Sequence, residues 1–286
     1  MNKGVLLFAY NSRQVDYLRL SVLAARLAKK NLAVPVSLIT DESTISWAKQ
    51  SGIYDQVIDT FEHIILDEVG YDSNYRLLHD GDIKDKIPFK NSSRSKAWDL
   101  TPYDRTLLID SDFLIFSDNL SNYWEIDEDF LISSCIRDIN DTDRMQHHDR
   151  YISDTGIKLL WATTVMFTKN QNSKMIFDFV KHVQENYSKY AEIYRYDDRV
   201  YRNDIAFSIA YHTFSGFVAS KDYFLPSVLS AIDRDILMSV DRGKLKFLIN
   251  TLNQNNYTAT SLSDIDIHVM NKQSIIRNYN SLMEIA

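Results

Sequence analysis

The chain has 286 residues, of which 45% are hydrophobic and 25% charged, and its formal net charge is −7. This composition is typical of a soluble globular protein with material for one large domain or two small ones. The negative charge opposes broad, sequence-independent binding to nucleic acid. No run of the sequence approaches the roughly 20 apolar residues of a membrane helix.

The compartment can be predicted from the cysteine count and the N-terminus. Cys135 is the single cysteine, so the chain has no intramolecular disulfide and no cysteine-rich zinc site. The apolar run near the N-terminus is followed by polar residues from Asn11 onward, before a signal peptide could be completed. We therefore expect a cytoplasmic protein.

The first half alternates short apolar runs with helical patterns, which is typical of βαβ units and a mostly parallel sheet. In chain order we predict a strand at Val5–Ala9, a helix at Tyr17–Lys30, a strand at Val34–Ile39, a helix from a Ser43 cap to Lys49, a short strand at Tyr54–Ile58, an irregular polar excursion at 61–93, a short helix at Arg94–Leu100 and a strand at Thr106–Ile109.

The second half continues the alternation of strands and helices. The ends of its elements are poorly marked, because the whole chain has only 7 Gly and 4 Pro. Here we predict strands at Phe113–Phe116, Phe130–Ser134 and Trp161–Thr168, a mobile polar segment at Asp138–Asp154, helices at Ser173–Lys189 and Asn203–Thr213, and an alternating run at Ile265–Val269. The expected fold class is α/β, with a mixed, mostly parallel, Rossmann-like sheet flanked by helices in a single large domain.

One Asp-x-Asp motif differs from the others by its context. The same spacing occurs at Asp80/Asp82, Asp127/Asp129, Asp141/Asp143, Asp233/Asp235 and Asp264/Asp266, mostly in polar surroundings. Asp110 and Asp112 instead follow one apolar run and precede another. They would lie at the carboxyl end of a strand, where open α/β sheets bind ligands. Two hard oxygen ligands there suggest a divalent cation that holds a phosphorylated substrate; the alternative is a solvated turn pair.

The motif resembles that of GT-A-fold glycosyltransferases, which use nucleotide sugars, and is closest in style to the retaining family 8-like group. In that family a motif such as Asp110-Ser111-Asp112 binds the metal and donor, and a His followed by a Lys closes over the diphosphate, as His268 and Lys272 would. The resemblance implies that Asp110, Asp112 and His268 hold Mn²⁺ or Mg²⁺. An imidazole ligand favours Mn²⁺.

The resemblance also divides the chain into a nucleotide-sugar-binding half, 1–116, and an acceptor half, 117–286, whose segment 265–277 closes the site. It implies donor-binding roles for Ala9, Tyr10, Asn11, Asp41, Arg94 and Lys96. The first three form the loop after the first strand, the aspartate follows the second strand, and the two basic residues precede the motif strand. As alternatives, Asp41 is an ordinary helix cap and the basic residues are solvated helix positions.

On the acceptor side, Trp161 resembles the residue that lies under the transferred sugar, and Asn203 and Asp204 resemble the catalytic position near the reacting carbon. A core tryptophan and a helix cap are the competing interpretations. The cluster His147, His148 and Asp149 is less suited to a second metal, because adjacent side chains point in different directions. The aromatic and basic stretch Tyr187–Arg202 could stack on a sugar or a base.

The leading hypothesis is a metal-dependent hexosyl- or pentosyltransferase that moves a sugar from a nucleoside-diphosphate sugar to an acceptor hydroxyl, with a leaning toward retention. The acceptor stays open: a glycan, or a hydroxylated DNA base if the protein is phage-encoded, which is the one form in which nucleic acid would be a partner. The alternatives are a haloacid-dehalogenase-like phosphatase, opposed by Leu114 where Thr or Val is usual, and a non-catalytic nucleotide-binding module.

Overall fold

The apolar runs of the sequence form the strands of a layered α/β structure. A computed structural model describes residues 1–68, 74–80, 83–90, 92–140, 150–196, 200–216, 224–251 and 256–286. In chain order its strands are β1 (Lys3–Phe8), β2 (Val36–Thr40), β3 (His63–Leu66), β4 (Tyr75–Asp80), β5 (Ile83–Pro88), β6 (Arg105–Ile109), β7 (Phe113–Leu114), β8 (Phe130–Ser133), β9 (Ile136–Asp138), β10 (Tyr151–Ile152), β11 (Ile157–Lys158), β12 (Trp161–Thr168), β13 (Val228–Ala231), β14 (Ile236–Asp241), β15 (Lys244–Thr251), β16 (Asn256–Leu262) and β17 (Ile267–Val269).

The helices connect and cover these strands. They are α1 (Tyr17–Leu32), α2 (Glu42–Ser51), α3 (Tyr54–Thr60), α4 (Ala97–Leu100), α5 (Gln171–Glu185), α6 (Tyr187–Ile193), α7 (Asn203–Phe214), α8 (Lys272–Arg277) and α9 (Tyr279–Ile285), and a 3₁₀ turn at Ser92–Lys96 leads into α4. None of the helices in the described ranges is long and apolar enough to cross a bilayer.

The central sheet has six strands in the order β3-β2-β1-β6-β12-β8. The first four are parallel, and β12 runs antiparallel to both of its neighbours. The carboxyl ends of the parallel strands therefore meet at one edge. This arrangement confirms the predicted fold class, a mostly parallel mixed sheet flanked by helices in a single domain.

Both faces of the central sheet are covered, as a parallel sheet requires. Side chains alternate along β1, so Val5 and Leu7 belong to a core with α1, whereas Leu6 belongs to a second core with Phe177 of α5 and Phe207 of α7. All residues of β2 and β6 are buried. A sheet held between two apolar layers gives the site at its edge a rigid base.

One glycine in β1 is required by a close approach. A Cβ at Gly4 would lie 2.3 Å from the ring of Tyr103, whose hydroxyl shares a 2.6 Å hydrogen bond with the Ser37 hydroxyl in β2. Tyr103 is 1% exposed, so the ring has no free space into which to move. The aromatic ring thus occupies the volume that a side chain at position 4 would need.

A second sheet continues from the end of β6. Its strand order is β7-β17-β13-β9, with β7 antiparallel to β17 and β13 parallel to both β17 and β9. Since β7 begins at Phe113, directly after Asp112, the second sheet borders the carboxyl edge of the first. Three strands, β14, β15 and β16, form a separate antiparallel sheet.

The segment predicted as a strand at Tyr54–Ile58 is a helix, α3. Its β-forming residues suggested a strand, but its burial follows a helical period: Val57 and Phe61 are buried, while Ile58 is 48% exposed. The third strand of the sheet is β3, which lies inside the excursion predicted to be irregular. The long predicted helix at Ser173–Lys189 is divided in two at Asn186, where φ is −115° and ψ is 28°.

The same excursion contains a β-hairpin, β4 paired with β5 from Tyr75 opposite Pro88 to Asp80 opposite Ile83. The Asp-Gly pair at positions 80 and 81 is a hairpin signal in the sequence. The hairpin is fastened to α8: the Arg277 guanidinium donates to both carboxylate oxygens of Asp80 at 2.6 and 2.7 Å, and the Asn271 amide donates to Asp80 at 3.4 Å.

Candidate active site

The two motif carboxylates lie in the turn between β6 and β7. The Asp110 backbone N–H donates to the Thr163 carbonyl of β12 at 3.0 Å, and the Asp112 carbonyl accepts from the Val269 N–H of β17 at 3.0 Å. The turn is therefore held by the central sheet on one side and by the second sheet on the other. The Asp110 side chain is 30% exposed and that of Asp112 is 5% exposed.

The pairing of β17 with β7 brings His268 to these carboxylates. His268 lies opposite Phe113 in the antiparallel register, and its Nε2 is 3.3 Å from Asp112 Oδ1 and 4.0 Å from Asp110 Oδ2. One ligand atom from each of the three side chains lies within 4.8 Å of the others. Two carboxylates and one imidazole form a donor set that fits Mn²⁺ or Mg²⁺.

Each carboxylate has its own buried cation. The Arg94 guanidinium donates to Asp110 Oδ1 and to the Ala162 carbonyl at 2.6 Å. The Lys272 ammonium donates to Asp112 Oδ2 and to the Met270 carbonyl at 3.3 Å. The pair of Lys272 with Asp112 lies in a region of low dielectric, where its attraction is strong, because its side chains are 3% and 5% exposed. The pair of Arg94 with Asp110 is less enclosed, since the two side chains are 8% and 30% exposed.

The two carboxyl groups respond differently to this environment. Burial raises the pKa of Asp110, and Arg94 offsets this only in part. Burial would also raise the pKa of Asp112, but Lys272 and His268 outweigh it and hold that pKa below its usual range. Asp112 is therefore the firmly ionised member of the pair.

A cavity of about 600 Å³ opens over the carboxylates. The predicted site residues that line it are Tyr10, Arg94, Asp110, Ser111, Asp112, Trp161, Asn203, Asp204, His268 and Lys272. The structure thus brings together ten predicted residues from both halves of the chain. A cavity of this volume is in the range of small-molecule sites.

One wall of the cavity is formed by residues of β12 and of the start of α7. Asp204 Oδ1 accepts from the Ala162 N–H at 2.9 Å, and its Oδ2 lies 3.3 Å from Arg202. The Asn203 side-chain oxygen accepts from the Tyr201 hydroxyl at 2.9 Å. Trp161 is 5% exposed and begins the strand that carries this wall.

Four predicted donor-binding residues lie outside the cavity lining. The Asp41 carboxylate caps α2, accepting from Thr44 N–H at 2.8 Å, and pairs with Lys90 at 2.7 Å. Lys96 pairs with Asp67 at 2.8 Å. Ala9 is buried, and the Asn11 side-chain oxygen accepts from the Leu18 N–H in the first turn of α1.

Tyr10, by contrast, reaches the cavity from the end of β1. Its hydroxyl donates to Asp67 Oδ2 at 3.3 Å, and burial raises its pKa above the ordinary value. Its ring packs with that of Phe8 at 6.4 Å between centroids. Two aromatic rings thus line the end of the first strand.

The hairpin β4–β5 and the two residues that follow it contribute cavity residues that the sequence did not predict. Tyr75, Arg76, Leu77, Phe89 and Lys90 all line the cavity. They lie in the excursion 61–93 that is predicted to be irregular, and the predicted site includes none of them. The Asp-Gly pair was the signal that could have placed a hairpin here.

The remaining clusters have limited connection to the cavity. His147, His148 and Asp149 lie outside the described residues, as does Arg199. In the aromatic stretch, Tyr187 and Tyr201 pack edge to face at 5.2 Å. Of the stretch, Val200, Tyr201 and Arg202 reach the cavity.

Comparison with known proteins yields structural matches only: no family profile and no curated protein matches the chain. GlyE, a glycosyltransferase of Streptococcus pneumoniae TIGR4, matches with 12% identity over 80% of this chain at a TM-score of 0.38, and the match covers 45% of GlyE, less than half its length. The galactosyltransferase LgtC, solved with donor and acceptor sugar analogs, matches with 16% identity over 72% of this chain and 69% of its own, at a TM-score of 0.41. The glycosyltransferase PaToxG matches with 13% identity over 77% of this chain and 71% of its own, at a TM-score of 0.40.

Proposed function

We propose that the chain is a divalent-metal-dependent glycosyltransferase that moves a sugar from a nucleoside-diphosphate sugar to an acceptor hydroxyl. The observation that supports this most is the cluster Asp110, Asp112 and His268, which lies at the carboxyl edge of the sheet and opens into a cavity. A site that combines carboxylates, an imidazole and buried cations suits a phosphate-containing ligand that is bound together with a metal ion.

Asp110, Asp112 and His268 would hold Mn²⁺ or Mg²⁺. A bound ion of this kind supplies Lewis acidity, which stabilises the negative charge that develops on a departing diphosphate. Lys272 adds a buried positive charge on the same side. Arg94 positions Asp110 by bonding it and the Ala162 carbonyl at once, which keeps the first motif carboxylate in place.

The wall formed by β12 and the start of α7 would receive the transferred sugar and the acceptor. Asp204 is fixed by Ala162 and Arg202, so its carboxylate has a defined position in the cavity lining. We propose Asp204 and Asn203 as the residues nearest the reacting carbon and Trp161 as the surface beneath the sugar. In this proposal transfer proceeds with retention.

On the nucleoside side, Tyr10 and Ser111 line the cavity directly. The proposed roles of Ala9, Asn11, Asp41 and Lys96 are then in shaping the loops behind it, since their contacts lie within the protein. Neither the phosphatase nor the non-catalytic module gains an observation that favours it.

The first experiment is thermal stabilisation by a panel of nucleoside diphosphates and nucleotide sugars, with and without Mn²⁺. A ligand that binds only the native state stabilises that state by about 2.7 kcal/mol when its free concentration is a hundred times its Kd. We expect a metal-dependent rise in melting temperature with one base, and we expect this rise to disappear in Asp112→Asn.

Asp264→Asn is the matched control, because Asp264 is exposed and has φ of 55°, a conformation that asparagine also tolerates. It should respond as the unmodified chain does. An equal rise in Asp112→Asn, or none with any nucleotide, would contradict the proposal.

A further inference from the structure

The hairpin β4–β5 carries a guanidinium whose role the site described above leaves open. Arg76 lines the same cavity as Lys272, and its guanidinium carbon lies 5.0 Å from the centre of the Phe89 ring. Its Nε is buried and has no hydrogen-bond partner among the described residues. A buried donor without a partner calls for an explanation such as a ligand.

The other cations of the cavity lining have anionic partners. Within the described lining, ion pairs join Lys90 to Asp41, Arg94 to Asp110, Arg202 to Asp204 and Lys272 to Asp112. Arg76 takes part in none of the ion pairs found across the described ranges. Burying a charge is costly unless it is paired, so an anion brought by the ligand would complete the arrangement.

The surroundings of Arg76 keep it charged and close to the metal-binding cluster. Burial would lower its pKa, but Tyr17, Asp233 and Asp112 outweigh it and raise the pKa. Asp112 is also affected by Arg76, which contributes to its lowered pKa. The guanidinium therefore acts on the same region of the cavity as Lys272.

The hairpin holds Arg76 in position from both ends. The contact of the guanidinium with the Phe89 ring, 5.0 Å from its carbon to the ring centre, is a cation–π interaction that stabilises it. The pair of Asp80 with Arg277 ties the hairpin to α8, the helix that begins at Lys272. Arg76 and Lys272 are thus mounted on two elements that are bonded to each other.

We propose that Arg76 is a second diphosphate-binding residue, which acts with Lys272 on the phosphate groups of the nucleotide sugar. An arginine suits this task because its planar N–H groups can bind phosphate oxygens in pairs. The inference rests on the proposed function, since it assumes a diphosphate at the metal-binding cluster. It adds a hairpin residue to a site otherwise built from the two sheets and α8.

The test measures the binding of inorganic pyrophosphate and of Mg²⁺ by calorimetry, each alone and then together, on the full chain. The variants are Arg76→Met, Arg76→Lys and the control Lys84→Met, which removes a positive charge from an exposed position of the same hairpin. We expect Arg76→Met to weaken pyrophosphate binding about ten- to a hundredfold, with Mg²⁺ binding alone retained or tightened. Arg76→Lys should recover part of the affinity, and Lys84→Met should change nothing.

The outcomes separate this inference from the proposed function. If the unmodified chain binds no Mg²⁺, the proposed function fails. The inference can still be tested in that case, because the pyrophosphate affinities of Arg76→Met and of the unmodified chain can be compared without metal. Pyrophosphate affinities within twofold of each other for those two chains would overturn the inference. So would an equal loss in Lys84→Met, or the absence of pyrophosphate binding by the unmodified chain.

Discussion

The Lys272 side chain is a buried cation whose partner is a candidate metal ligand. It is 3% exposed and Asp112 is 5% exposed, so neither charge is stabilised by water. Removing one member of such a pair strands the other in a low dielectric, and this commonly costs about 3–5 kcal/mol. The pair therefore contributes to stability as well as to the proposed chemistry.

We expect Lys272→Met to lower the free energy of unfolding by about 3 kcal/mol in metal-free buffer. Mn²⁺ should then raise the melting temperature of this variant more than that of the unmodified chain, because the ion replaces the missing charge. Chemical denaturation with and without Mn²⁺ measures both effects. Lys174→Met, at an exposed pair with Asp178, should change neither; equal Mn²⁺ responses in Lys272→Met and the unmodified chain would refute the expectation.

Asp41 gives a pH dependence with a defined sign. Burial would raise its pKa, but hydrogen bonds from Lys90 and Thr44 outweigh this and lower it. A lowered folded-state pKa contributes stability above the unfolded value of about 3.9, and that contribution is lost as the pH falls through the folded value.

The variant Asp41→Asn keeps a cap acceptor but loses the charge. At pH 7 it should be less stable than the unmodified chain by about 0.5–1 kcal/mol, because it lacks a negative charge at a helix N-terminus, and this difference should shrink as the pH falls from about 5 to about 3. Urea unfolding across that range is the measurement. A difference that stays constant with pH would show that the Asp41 charge has no part in stability.

At the scale of elements, strand β1 depends on one small residue. A methyl group at Gly4 would meet the Tyr103 ring at 2.3 Å, and overpacking of a tight core costs about 1–3 kcal/mol. We expect Gly4→Ala to destabilise the protein by about 3 kcal/mol in urea unfolding. In a Tyr103→Ala background the same change should cost little, since the space is then open; equal costs in both backgrounds would place the strain elsewhere.

The elements that sequence reasoning found are those with one clear period. The helix α1 and strands β6 and β12 are buried in the pattern that their apolar residues indicate. The two elements that were predicted wrongly, α3 and the hairpin β4–β5, are short and depend on their neighbours. Helix α3 buries Val57 against the rest of the core, and the hairpin is bonded to α8 through Asp80. Such contacts are invisible in a local window; for the hairpin that carries Arg76, the Asp-Gly pair at positions 80 and 81 is the one local signal.

At the scale of the whole molecule, the site lies where two sheets meet. Sequence context selected Asp110 and Asp112 because a strand leads into them, and this could be read locally. His268 and Lys272 required a family resemblance, because nothing near them in the chain indicates that β17 pairs with β7. The roles proposed for Trp161, Asn203 and Asp204 depend on the same long-range packing.

The contact between Asp112 and Lys272 joins residues 160 positions apart, and this separation has a kinetic consequence. Closing so long a loop carries a large entropic cost, and non-local pairings of this kind slow folding. The strands β1, β2 and β6 can assemble early around α1, with the aspartates already in place but His268 and Lys272 still remote. The cluster of Asp110, Asp112, His268 and Lys272 is then expected to be among the last parts of the molecule to form during refolding, after the central sheet that supports it.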